Sequence, residues 1–370
     1  MSAASPFVQT VRGPVEPSAL GRTLMHEHLV WDWIGAMGEG PQLAATWPVE
    51  RIVQKLAAAA EDGVGCVVDV SPDNAGAHPL VFALIAAQAP CHVVCATGYY
   101  CAEAVPLPRS VYPPNDATTI GERFLDAARY GVARSGVKPG ILKVATSAAT
   151  VTPVEEQIVR AAAYAQRRTG LPITTHTHYT LQAERQIDIL EDAGADLDRV
   201  VIGHMGWGTG PQDFDVHERL IRRGVTIGLD LLGLWSVRSV EDYAQMAFDL
   251  IEAGYASNFI VSHDASVYAR GLSSIVGTEG KEDYGRPEDY AGKLTIATRE
   301  LLPLLRERGV SEEVLSTIMV DNPRRILTID PGRYPETADN VLWEPDPTDV
   351  LRAGDGELVA AMYASAGDTA

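Results

Sequence analysis

A (β/α)₈ TIM barrel with long βα loops and a C-terminal extension is the α/β fold this sequence predicts, on three observations. Eight short apolar runs alternate with helical patterns along most of the chain. The runs carry Val, Ile and Leu on successive residues, as parallel strands buried on both faces require. Five of them end in a potential metal ligand: Leu24-Met-His-Glu-His28, Ile141-Leu-Lys143, Ile173-Thr-Thr-His176, Val200-Val-Ile-Gly-His204 and Phe259-Ile-Val-Ser-His-Asp264. Ligands dispersed over roughly 240 residues meet only if distant strand ends converge, and a barrel gathers the C-terminal ends of its strands at one mouth.

The strands are read as residues 23–28, 66–70, 92–97, 141–145, 173–178, 200–204, 226–230 and 259–264. The clearest helix starts at Thr152-Pro153-Val154-Glu155, which combines an N-cap, a proline at the first helical position and a capping-box glutamate. Val154, Ile158, Ala161, Ala162 and Ala165 then share one face, and Gly170 stops the helix. Further helices are expected over 49–61, 79–87, 120–135, 181–193, 217–223 and 240–252. Four βα connections (30–48, 99–119, 231–239 and 265–292) are long enough to be functional or mobile. The last, with Gly271, Gly277, Gly280 and Gly285, is the lid candidate. The barrel domain takes residues 1–330. The Pro/Asp/Glu-rich stretch that opens residues 331–370 reads as an extension packed on the barrel or on a partner subunit.

Composition narrows the function. With 46% apolar and 21% charged residues the chain has ample material for a core. A formal net charge of −19 repels phosphate backbones and anionic lipid, so neither nucleic acid nor membrane is an expected partner. Bound divalent metals would still dominate the field inside a pocket. Cys66, Cys91, Cys95 and Cys101 lie in or just after strands without CxxC spacing, which reads as buried reduced thiols in a cytoplasmic protein. No basic region followed by an apolar run opens the chain, and no segment reaches 18 uninterrupted apolar residues.

His26 and His28 are two apart on a strand and share a face; His176 and His178 do likewise, with Thr175 and Thr177 on the other side. Neutral imidazoles suit zinc and related divalent ions, and a carboxylate such as Asp264 completes such a site. A lone His-x-His pair is a weak signal. Lys143 is the sharper one, because an ammonium inside an apolar strand beside cations loses its proton as its pKa falls. The neutral amine can add carbon dioxide to give a carbamate (N6-carboxylysine), an anionic ligand able to bridge two metals. A strand-end lysine that reaches solvent is the bland alternative. Four histidines and Asp264 at neighbouring strand ends favour the metal. Asp264 is also the candidate acceptor for the proton of an attacking hydroxide. His263 faces the opposite way and reads as packing or support; His78, His92 and His217 read as structural.

At these residues the chain resembles the phosphotriesterase-like branch of the amidohydrolase superfamily, which holds phosphotriesterases and lactonases. The resemblance runs from Gly21-Arg-Thr-Leu-Met-His-Glu-His28 to Asp321-Asn-Pro-Arg-Arg-Ile-Leu327. It implies two divalent metals, zinc first and manganese, cobalt or iron as alternatives. His26, His28 and Asp264 would bind one metal and His176 and His204 the other, with carbamylated Lys143 and a hydroxide as bridges. It further implies a homodimer and metal-assisted hydrolysis, in which the bridging hydroxide attacks a small-molecule substrate. Tyr100 matches the position of an aromatic residue beside the metals, either wall or holder of a substrate oxygen.

Two departures bear on substrate. Phosphotriesterases often place an aspartate just after the sixth-strand histidine; here the run is His204-Met-Gly-Trp207. After Gly-Leu-Asp230, lactonases commonly carry arginine and phosphotriesterases histidine; here it is Leu231. His178 is an additional imidazole that could serve as relay or touch substrate. Trp31, Trp33, Trp207, Leu231, Leu232 and Trp235 would make an apolar, aromatic pocket. The expected reaction is hydrolysis of a lactone or other carboxylic ester with an apolar substituent. An organophosphate triester or an N-acyl amide are the alternatives on the same metals. A non-catalytic ligand-binding barrel would need a damaged metal site, and this one is intact in sequence.

Overall fold

The eight apolar runs form strands Arg22–Glu27 (β1), Val64–Asp69 (β2), His92–Tyr99 (β3), Ile141–Ala145 (β4), Ile173–His176 (β5), Val200–Ile202 (β6), Thr226–Leu229 (β7) and Phe259–Val261 (β8). Each pairs in parallel with its sequence neighbour, so the sheet order is the chain order. The computed structural model describes residues 5–32, 48–207, 212–233, 238–270 and 293–335. Trp33, Trp235, residues 271–292 of the lid candidate and residues 336–370 of the extension lie outside the described residues.

Beyond the ladder the first and last strands meet at their C-terminal ends. The Asp264 N–H donates to the His26 carbonyl at 3.0 Å and the His28 N–H to the Ala265 carbonyl at 3.0 Å. The ring therefore closes through residues of the predicted site. Met25, Cys66, Val68, Val94, Ala96, Ile141, Val201 and Ile260 fill the barrel interior, while neighbouring positions such as Leu24, Val67, Val93 and Leu142 pack outward against the helices. This is the period-2 partition of strands buried on both sides. All four cysteines are buried free thiols. At the opposite end, strands Val8–Thr10 and Gly13–Val15 form a hairpin, and Tyr334 packs edge-on against Phe7 and donates to the Pro139 carbonyl.

The helices are Val49–Glu61 (α1), Pro79–Gln88 (α2), Ala117–Tyr130 (α3), Pro153–Thr169 (α4), Ala183–Asp192 (α5), Gln212–Ile221 (α6) and Val240–Glu252 (α7), followed by turns of helix within Ala297–Leu327. α4 carries the capping box read from sequence. Its Glu155 carboxylate also accepts from the Ala102 N–H and the Ser147 hydroxyl, which pins the loops after β3 and β4. α3 starts and stops earlier than expected. Asp116 caps it by accepting from the Thr119 N–H, and Gly131, at φ 81°, ends it. α5 begins two residues late because Tyr179, Thr180 and Gln182 hold positive φ. α6 covers 212–221, not 217–223. Six strands also end short of their expected limits, β5, β6 and β8 by two or three residues and β1, β2 and β7 by one. At β6 and β8 the cause is backbone that turns left-handed at His204 (φ 63°) and Asp264 (φ 53°), which leaves the ladder.

Close strand packing sets Lys143 in place. A Cβ on Gly98 of β3 would lie 1.8 Å from the Lys143 carbonyl oxygen, so only glycine fits there.

Candidate metal centre

Lys143 lies mid-strand in β4 with no accessible surface, and its Nζ is 2.8 Å from His26 Nε2. Burial lowers the Lys143 pKa to about 8, against the pull of Asp264 and Asp230. Near neutrality a useful fraction is then the free amine, the form that adds carbon dioxide. Burial, with help from Lys143, lowers His26 to about 4. Burial together with His204 and Lys143 holds His176 well below the ordinary imidazole value. Both rings are thus neutral, as ligands must be.

The other ring nitrogens settle which way the lone pairs face. His28 Nδ1 lies 2.8 Å from the Ser71 hydroxyl, which itself donates to the Val30 carbonyl, so His28 is the donor. Asp230 is completely buried. One of its oxygens accepts from the His204 N–H at 2.7 Å and lies 3.0 Å from His204 Nδ1; the other lies 2.8 Å from His26 Nδ1. His28 and His204 therefore carry their proton on Nδ1 and present a bare Nε2, while His26 Nδ1 lies against Asp230 without hydrogen-bond geometry and its Nε2 meets the Lys143 amine. All three Nε2 atoms face Asp264. His28 Nε2 is 3.1 Å and His26 Nε2 3.7 Å from Oδ1, and His204 Nε2 is 4.0 Å from Oδ2. Asp264 Oδ1 is buried with no hydrogen-bond partner among the described residues. Acceptors pointed at one another at this range repel unless a cation lies among them. The donor set fits divalent metal: the ligand atoms of His26, His28 and Asp264 all fall within 4.8 Å of one another.

His176 joins from β5, its ring centroid 4.4 Å from that of His204, and the Tyr100 hydroxyl lies 3.1 Å from its Nδ1. The structure thus brings Lys143, His26, His28, His176, His204, Asp264 and Tyr100 to one mouth. His204 and Asp264 both sit in the left-handed region, an uncommon conformation for side chains of this kind that concentrates at functional positions. His178 stands at the rim, half-buried, its ring 4.9 Å from Trp207 and 5.7 Å from His176. Trp31 packs edge-on against His28 at 4.0 Å and Tyr100 at 5.4 Å. Leu231, expected to line the pocket, has no accessible surface and packs within the main apolar cluster. His217 donates to the Met205 carbonyl at 2.6 Å, and His92 opens β3 at the opposite end of the barrel.

Three buried acids escaped the sequence reading. Burial alone would raise the Asp230 pKa, yet His26 and His204 hold it well below the usual carboxylate range. Glu27 accepts from the Ser262 hydroxyl at 2.7 Å and the Ala265 N–H at 2.8 Å, and lies 2.7 Å from His263 Nδ1, so it fixes the segment that carries Asp264. Asp69 accepts from the Leu29 and Ser71 N–H groups and so fixes the segment after His28. Each closes or nearly closes an apolar strand run, the same signal that exposed Asp264.

Comparison with known proteins agrees with this geometry. The model of the phosphotriesterase family matches residues 6–327. A phosphotriesterase homology protein of Mycobacterium tuberculosis is 33% identical over 334 residues, covering 87% of this chain and 98% of that protein. The organophosphorus hydrolase from Deinococcus radiodurans superposes with a TM-score of 0.76 at 28% identity, over 88% of this chain and 100% of that one. A protein from the engineering of organophosphate hydrolysis activity out of a weak promiscuous lactonase template gives 0.75 at 29% identity, over 87% and 99%. The family match spans every strand and helix that brings a side chain to the mouth, and on that ground the chain belongs to the phosphotriesterase family and is a metal-dependent hydrolase.

Proposed function

We propose that the chain hydrolyses a lactone or other carboxylic ester with an apolar substituent at a binuclear centre. The carrying observation is the set of imidazole Nε2 atoms turned on an Asp264 oxygen that has no hydrogen-bond partner among the described residues, beside a buried Lys143. His26, His28 and Asp264 would hold one cation and His176 and His204 the other, with Lys143 as its carbamate between them; zinc is the first candidate. Two such cations supply a lowered water pKa and a polarised carbonyl.

The chain's own groups do the rest. Asp264 has one oxygen toward His26 and His28 and the other toward His204, so it is placed to accept the proton of the attacking water. Asp230 and Ser71 hold the His204 and His28 imidazoles in the tautomer that turns Nε2 to the mouth. Burial keeps the Tyr100 hydroxyl protonated, so it can donate to a substrate oxygen. Trp31, Tyr100 and Trp207 exclude water and receive the apolar group, and His178 at the rim can touch the substrate or pass a proton outward. The likeness to a lactonase template supports the ester reading.

The likeness to an organophosphorus hydrolase favours a phosphotriester as the second reading. The deciding experiment sets metal-replete protein, at two equivalents per chain by elemental analysis, against an aryl ester, γ- and δ-lactones, a paraoxon-like triester and an N-acyl amide. The ester or lactone is expected to show the highest kcat/KM. No turnover of either by protein that holds both metals removes the reading. A homodimer is proposed on the resemblance and a cytoplasmic location on the reduced-thiol reading of the four cysteines; sedimentation of the purified chain tests the first.

A further inference from the structure

Among the described residues only three large apolar side chains are exposed, and two of them, Tyr179 (54%) and Leu181 (48%), stand on the turn after β5. That turn closes with the Leu181 N–H donating to the His178 carbonyl at 2.9 Å. Its two central residues, Tyr179 and Thr180, have φ of 53° and 61°, values that such turns ordinarily reserve for glycine or asparagine. A bulky aromatic side chain is thus held, against its backbone preference, at the rim of the mouth. It does not stand alone. Ring centroids run from Trp31 to Tyr100 (5.4 Å), His176 (4.8 Å), His178 (5.7 Å), Trp207 (4.9 Å) and Tyr179 (4.5 Å). The series begins at a buried indole and ends at a phenol more than half exposed.

We propose that His178, Trp207 and Tyr179 form a recognition shelf for a flat aryl group of the substrate. The rings lie at the spacing at which aromatic pairs attract, through face and edge, beyond the area they bury. An aliphatic ring of equal size gains only the area. The shelf sits on the β5–β6 side of the mouth, next to His176 and His204, so a bound ring leaves the adjoining ester bond over the ligand cluster. This inference rests on the ester reading above.

The test compares methyl phenylacetate with methyl cyclohexylacetate, and benzyl acetate with cyclohexylmethyl acetate, on metal-replete wild type, Trp207→Leu and Tyr179→Leu. Metal content and circular dichroism of the variants are matched to wild type first. Wild type is expected to favour the aryl member of at least one pair by about fivefold to tenfold in kcat/KM. In both variants that ratio should fall toward one, through KM. A ratio near one in wild type, or one unchanged in both variants, overturns the shelf. Calorimetric titration with 2-phenylethanol and 2-cyclohexylethanol separates the two readings. If no ester is cleaved the ester reading falls, while tighter binding of the phenyl compound that Trp207→Leu abolishes still supports the shelf, and equal binding overturns it. Self-association that Tyr179→Leu abolishes, with the ratio untouched, would overturn it in favour of a protein contact.

Discussion

Replacing Asp230 with alanine should loosen both metals at once. The carboxylate touches one ligand assigned to each: His26 Nδ1 at 2.8 Å and His204 Nδ1 at 3.0 Å, besides the His204 N–H at 2.7 Å. Alanine removes the acceptor from both imidazoles at once. Neither ring is then held with its proton on Nδ1, and a ring that moves the proton to Nε2 loses its lone pair to the mouth. Loss of such a support costs about 10- to 100-fold in metal affinity, or about 1.4–2.7 kcal/mol. Chelator competition at fixed pH, with metal per chain read as the free ion is lowered, measures it directly. Both equivalents should leave at higher free metal than in wild type. Wild-type retention of both would refute the tautomer argument, and weakening of a single equivalent would refute the claim that one carboxylate serves both.

Lys143→Ala should lose metal and activity together and regain part of each with acetate or propionate, which can occupy the volume of the missing carbamate; full activity without them would remove the bridging role. Metal-free protein should weaken as pH falls. Its His26 protonates near 4 when folded against 6.5 in the unfolded chain, so the stability present above 6.5 drains away toward 4. From pH 7 to pH 5 this one group removes about 2 kcal/mol, with His176 adding in the same direction. Urea midpoints that coincide at the two pH values would contradict it. Glu27→Gln, which leaves Ser262, His263 and Ala265 short of an acceptor, should destabilise by about 2–3 kcal/mol in urea unfolding.

Periodicity exposed the strands because apolar runs buried on both faces have no polar interruption until they reach the mouth. It exposed Lys143 for the same reason, since a charge inside such a run needs a partner. Asp230, Glu27 and Asp69 stayed hidden because a single acid reads alike whether it is solvated or accepts several hydrogen bonds. Their partners (His204 for Asp230, Ala265 for Glu27, Leu29 for Asp69) are fixed by strand register, which no local pattern states. The early ends of β6 and β8 were also illegible, because the left-handed turns at His204 and Asp264 fall on residues with only a weak preference for them. At α3 the apolar onset at Ile120 outweighed the cap at Asp116, although the cap is what starts the helix.

The join between the first and last strands has a consequence for how the protein lives or dies. Its backbone bonds involve His26, His28 and Asp264, three of the groups that gather at the mouth. Maturation of the enzyme and completion of its architecture are then one event, and a cation held across the join works as a clasp. At free metal a thousandfold above its dissociation constant, the clasp adds about 4 kcal/mol to stability. Metal starvation would therefore do more than silence such an enzyme: it would also weaken the barrel where its two ends join.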